Sequence, residues 1–238
     1  MLTGQFLACA RMEVHIDPTA QEAARTAALT IAREIKAAHG VTTLGLAGGS
    51  TPKTAYWLLR QLDLDWSGVT CWLPDERYVP HNDPESNTSM ARHELTDAVG
   101  ARLLAPDTSL SDPALSAARY ESELADAFGT TGPDIVLLGM GDDGHTASLF
   151  PGTSALEITR PGYVANHVPA MDTWRLTATM PLLWEASLLV FLVTGAAKAN
   201  MVGKVLGDAE LRPARLVTDG AAGDVLWLLD TAAATLLT

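Results

Sequence analysis

The sequence predicts an α/β fold, a mostly parallel, Rossmann-like sheet with helices on both faces, in a single domain over residues 1–238. Three observations predict it. Short apolar runs alternate with helical segments along the chain, as in successive βαβ units. The apolar runs carry few polar residues, as strands covered on both faces do. Several of them end in glycine-rich turns that lead into a helix.

Each element has a local reason. The stretch before the first glycine-rich strand reads as one strand and one helix. Residues 21–38 are rich in Ala, Glu, Arg, Lys and Ile at helical spacing and stop at His39-Gly40, a glycine terminator. Residues 41–46 form a short buried strand ending in glycines, and Thr51-Pro52 then opens a helix reaching about Leu62. A strand over 69–73, a helix over 86–95, a surface loop over 105–112 and a helix over 113–128 follow. Residues 133–138 are the clearest buried strand. Strands are predicted at 163–167, 175–179 and 187–193, a helix at 198–206, and late strands at Leu216-Val217 and 225–229.

Composition narrows the function. Sixteen basic against 28 acidic residues give a formal charge of −12. This disfavours nucleic acid and anionic membrane, both of which require a basic face. A few local donors still suffice for a small anion. The apolar run at 187–193 is far too short to cross a bilayer. Residues 1–11 lack the basic start of a signal peptide and read as a disordered end, with Met12 the expected start. The expected location is cytoplasmic. Cys9 and Cys71 have no metal-ligand spacing, and Cys71 inside its strand is expected to be a buried free thiol.

Ligands of open α/β sheets bind beyond the carboxyl ends of the strands, and four such ends carry chemistry. Gly48-Gly49-Ser50-Thr51-Pro52 joins a strand to a helix, so its backbone approaches a ligand closely and the helix start presents N–H groups to an anion. The alternative is a tight turn with a helix cap. Asp75-Glu76-Arg77 places two acids and a base directly after a strand, against the alternative of a solvated charge cluster. Gly139, Gly141 and Gly144 match the dinucleotide spacing, but Asp142 and Asp143 put negative charge where a pyrophosphate would lie. These glycines instead free the backbone around His145. An imidazole, with an ordinary pKa of about 6.5, both takes and returns a proton near neutrality. Arg175 and Lys198, next to strands, complete an anion pocket with the Gly48–Thr51 loop.

Together these segments resemble the glucosamine-6-phosphate isomerase/6-phosphogluconolactonase superfamily over about 44–206. The matching pieces are Leu46 to Pro52, Asp75-Glu76-Arg77, Ser86-Asn87-Thr88, Gly141 to Pro151 and Val193 to Ala199. In the deaminase branch the glycine-histidine pair precedes an Ile-Ala-Phe-Asn-Glu-Pro type of sequence, whose glutamate helps ring opening. Here Thr146-Ala147-Ser148-Leu149-Phe150-Pro151 contains no acid, and Asp75-Glu76-Arg77 resembles the lactonase branch. The resemblance therefore implies hydrolysis of 6-phosphogluconolactone to 6-phosphogluconate in the oxidative pentose phosphate pathway, with a phosphosugar lactone as partner and no metal or organic cofactor. His145 is expected as general base and acid, oriented by Asp75 or Asp143. Arg77 or glycine-loop N–H groups would hold the oxyanion. The phosphate would meet Gly48, Gly49, Ser50, Thr51, Arg175 and Lys198. Two alternatives are an amino-sugar-phosphate deaminase or isomerase and a non-catalytic sugar-phosphate sensor. The acidic charge and the short segment before the first motif, too short for a DNA-binding domain, argue against the sensor.

Overall fold

The computed structural model describes residues 11–237. Strand β1 (Met12–Asp17) leads into α1 (Ala20–Ala37), then β2 (Thr42–Gly45), α2 (Thr51–Leu59), β3 (Val69–Trp72) and the short β4 (Asp75–Arg77). A helical run follows, from α3 (Asn87–Ala91) through a π turn at Arg92–Thr96 to α4 (Asp97–Val99). Next come β5 (Arg102–Leu103), α5 (Pro113–Phe128), β6 (Ile135–Leu138), β7 (Tyr163–Val168), β8 (Thr173–Ala178), α6 (Met180–Trp184) and β9 (Leu188–Val193). The chain ends with a 3₁₀ turn at Ala196–Lys198, α7 (Ala199–Val202), a π turn at Gly203–Gly207, α8 (Pro213–Gly220) and β10 (Asp224–Asp230).

Seven strands form one parallel sheet in the order β1-β10-β9-β6-β2-β3-β5. Side chains alternate across it. On β9, Leu189, Phe191 and Val193 face one core, while Val190 and Leu192 face the other. The second core lies under α1 and α2, where Ala23, Ala27, Ile31 and Ile35 recur at helical spacing. Their small side chains let α1 lie close to the sheet. Thr19 caps that helix by accepting from the Glu22 N–H. On the other face Phe191 and Trp227, partners across β9 and β10, stack with centroids 4.2 Å apart. Such a pair adds about 0.5–1.5 kcal/mol beyond its area burial.

Two expectations are corrected. The strands predicted near 163–167 and 175–179 do not enter the parallel sheet. As β7 and β8 they join β4 in a separate antiparallel sheet of order β4-β8-β7. Only four residues separate Val168 from Thr173, too few for a parallel crossover. Leu216-Val217 lies within α8, not in a strand. Pro213 fixes the first turn there, and Ala214, Val217 and Thr218 form its buried stripe.

Cys71 is buried and free, as expected. Cys9 lies outside the described residues, as does all of 1–11 except Arg11. No helix among the described residues is long and apolar enough to cross a membrane.

Candidate active site

The chain order reverses at β2. Strands β3 and β5 lie to one side of it, whereas β6, β9 and β10 lie to the other. A crevice opens where the order turns, at the carboxyl ends of β2 and β6. There a cavity of about 360 Å³ is lined by Gly48, Gly49, Ser50, Thr51, Asp75, Arg77, Gly139, Gly141, Asp142, His145 and Lys198, among others. Eight of the ten residues singled out from the sequence thus share one cavity. Asp143 and Arg175 do not line it but adjoin the lining residues His145 and Arg77.

The anion loop is shaped by close packing. A side chain on Gly48 would collide with the Asn87 amide, so only glycine fits there. Tyr56 donates from its hydroxyl to Ala47 O at 2.8 Å, tying the loop to α2. Ser50 occupies the cap position of α2 without capping it, so its hydroxyl and the first helical N–H groups are left for a ligand.

Residues 75–77 themselves form the short strand β4, directly after β3. Glu76 is fully buried and accepts from five donors: Arg77 N (2.7 Å), Ser86 Oγ (3.2 Å), Asn87 N (2.7 Å), Thr88 N (2.7 Å) and Thr88 Oγ1 (2.6 Å). Asn87 Nδ2 in turn donates to Asp75 O at 2.9 Å. One carboxylate therefore fixes the strand, the start of α3 and, through Asn87, the Gly48 loop. Sequence reasoning gave Glu76 no role. The signal was available in Ser86-Asn87-Thr88, three polar residues at a helix start with donors to spare.

His145 sits on a turn after β6. Its ring fills the space a Gly141 side chain would need, and it packs on Phe150 with centroids 4.0 Å apart. No helix follows these glycines, so they are not a dinucleotide loop. Nδ1 of His145 lies 2.6 Å from Asp143 Oδ1, which also accepts from the His145 N–H at 3.0 Å. With Nδ1–H donated to Asp143, Nε2 carries the free lone pair. Partial burial alone would raise the Asp143 carboxyl. The hydrogen bonds and charge of His145 outweigh it and hold the group below its ordinary value.

Of the two acids expected near His145, Asp143 makes the contact. Asp75 accepts instead from Ser148 Oγ at 2.7 Å, a partner not foreseen from the sequence.

Arg175 lies opposite Arg77 across β4 and β8. Burial and the neighbouring Arg77 charge lower its guanidinium from its ordinary value. Among the described residues, neither arginine has a carboxylate within ion-pair distance. Asp75, Glu85 and Glu76 offset that lowering in part, but two adjacent cations with no direct ion pair still favour an anion. Lys198 does have a partner: its Nζ lies 2.6 Å from Asp142 Oδ1. The turn carrying Lys198 is held by Asp230, which accepts from Gly195 N at 2.9 Å and was not anticipated. No cluster of three or more His, Cys, Asp or Glu with metal-site geometry occurs among the described residues.

The family model described as glucosamine-6-phosphate isomerases/6-phosphogluconolactonase matches residues 18–227. A 6-phosphogluconolactonase of Synechocystis sp. is 38% identical over 205 residues, covering 82% of this chain and 84% of its own. One of Haemophilus influenzae is 32% identical over 232 residues, covering 92% and 97%. The solved 6-phosphogluconolactonase from Trypanosoma cruzi superposes with a TM-score of 0.87 at 28% identity, covering 98% of this chain and all of its own. With 18–227 matched by the model and both relatives aligned over more than four-fifths of each chain, the chain belongs to the glucosamine-6-phosphate isomerase/6-phosphogluconolactonase family.

Proposed function

We propose that catalysis runs through His145 acting first as general base and then as general acid. The chain hydrolyses 6-phosphogluconolactone to 6-phosphogluconate. We place that reaction in the cytoplasm, as a step of the oxidative pentose phosphate pathway, within one domain.

Nε2 of His145 takes a proton from water as the water oxygen bonds to the lactone carbonyl carbon. The carbonyl oxygen becomes an oxyanion, which Arg77 or the glycine-turn N–H groups stabilise. The bond from that carbon to the ring oxygen then breaks, and the His145 proton moves to the ring oxygen. Asp143 keeps the ring oriented and supports its charged form. Ser50, Thr51, Lys198 and the Gly48-Gly49 backbone take the phosphate, with Arg175 adding positive potential behind Arg77. Asp75, tied to Ser148, is reassigned to the pocket floor. No step uses a metal or organic cofactor.

The observation that carries this reading is the 2.6 Å Asp143–His145 contact at the switch-point cavity. The test is hydrolysis of freshly generated 6-phosphogluconolactone, against its spontaneous rate and with chelator present. Acceleration is expected to survive the chelator. His145→Ala is expected to lower kcat by about 10²–10⁴-fold while the protein stays folded. A loss of tenfold or less would remove His145 from the central role.

A further inference from the structure

Lys198, assigned above to the substrate phosphate, already has an anionic partner. Asp142 and Lys198 line the same cavity, and their side chains meet at 2.6 Å. The two ends of this pair are held very differently. The Lys198 side chain is 25% exposed and belongs to a turn pinned by Asp230. The Asp142 side chain is 80% exposed, on the glycine turn between Gly141 and Gly144, and Lys198 is its one charged partner among the described residues. Its neighbour Asp143 is bound to His145 through both backbone and ring.

We infer that Asp142 is a built-in competitor for the substrate phosphate and thereby sets how tightly Lys198 holds it. A carboxylate carries one charge and, at the surface, returns to water at little cost. A phosphate dianion carries up to two charges and three acceptor oxygens, so it displaces Asp142 from Lys198. A hydroxyl or a single weak anion does not. Lys198 therefore still rewards a phosphorylated lactone over an unphosphorylated one, by a margin that Asp142 reduces.

The inference rests on the phosphate reading of Lys198, and the experiment separates the two. Wild type, Asp142→Asn, Lys198→Ala and the double variant are compared at low ionic strength, with folding checked by circular dichroism. Competitive inhibition by inorganic phosphate is the equilibrium readout. The ratio of kcat/KM for 6-phosphogluconolactone to that for unphosphorylated gluconolactone is the kinetic one. Asp142→Asn is expected to tighten phosphate inhibition by about two- to fivefold, the range of an exposed ion pair, and to raise the ratio by a similar factor. In the Lys198→Ala background the same substitution should change nothing. If Asp142→Asn leaves inhibition unchanged or weakens it while Lys198→Ala also weakens it, Asp142 merely steadies the lysine and the inference is overturned. If Lys198→Ala leaves phosphate inhibition at the wild-type value, the phosphate reading itself fails, and the inference falls with it.

Discussion

Carboxylates flank the cavity in two settings and are used in opposite ways. Glu76 on β4 is wholly buried, and five donors converge on its oxygens. Asp142 and Asp143, on the turn after β6, have side chains 80% and 47% exposed and bind mainly a lysine and a histidine. Residue type does not separate these groups; desolvation does. A buried carboxylate with every lone pair engaged fixes backbone, whereas one in water near a titratable or mobile cation adjusts charge. Glu76 thus holds residues around the cavity in place, while Asp142 and His145 line it.

The largest expected effect tests that division directly. Glu76→Ala leaves three N–H groups and two hydroxyls without their acceptor inside the protein. The expected loss is about 3–5 kcal/mol of unfolding free energy, read from urea denaturation. His145→Ala should change the same quantity by less than about 1 kcal/mol, because its side chain is partly exposed. Equal losses in the two variants would break the comparison.

On the turn after β6, Asp143→Asn keeps the shape and removes the charge facing Nδ1. Its expected effect is about ten- to a hundredfold on kcat, below that of deleting the imidazole. The sign of the pH effect follows from the depressed carboxyl. Its stabilising contribution is present above the ordinary carboxylate value and is lost as pH falls through the lowered one. Wild type is therefore expected to retain that contribution below about pH 4, and the Asn variant to lack it; coincident acid-unfolding curves would count against the pairing.

Arg175 belongs to neither class fully, since it is half-buried yet charged and beside Arg77. Arg175→Ala is expected to raise KM about tenfold with a smaller change in kcat, the mark of lost charge-assisted binding. An unchanged KM would move Arg175 from the phosphate field to the framework.

The sequence made the cavity lining legible because its residues are unusual where they stand. Glycines, a histidine and acids directly after apolar strands are not what a strand end needs for burial alone. The parallel sheet was legible for a similar reason, since runs such as 133–138 permit few alternatives. What was missed depends on distance in space. Glu76 was read only as part of the charged Asp75-Glu76-Arg77 motif, because four of its five donors lie ten to twelve residues away in the chain. Asp230 lies 35 residues from Gly195, and Ser148 lies 73 from Asp75. The second sheet was missed by treating every strand as a βαβ member, although the four-residue link between β7 and β8 excludes a parallel pair. Leu216-Val217 was misread because two apolar residues fit a strand and a helix stripe equally well.

The smallest effect probes the framework without touching the cavity. Cys71 on β3 lies four residues before Asp75, in the core packed under α1 and α2. Burial pushes its thiol up to about 12 from an ordinary value of 9.0. The raised value means the unfolded thiol ionises first. Stability is therefore full below about pH 9 and declines as pH rises toward about 12. Thiol reactivity follows the thiolate and its access, so at pH 8 iodoacetamide should leave Cys71 unlabelled in the native protein and label it after urea unfolding. Peptide mapping distinguishes Cys71 from Cys9. Protection should persist in His145→Ala and Asp143→Asn and weaken in Glu76→Ala, which loosens the neighbouring strand. Equal labelling across all three would show that β3 and β4 open independently, and that Glu76 holds only the loops around it.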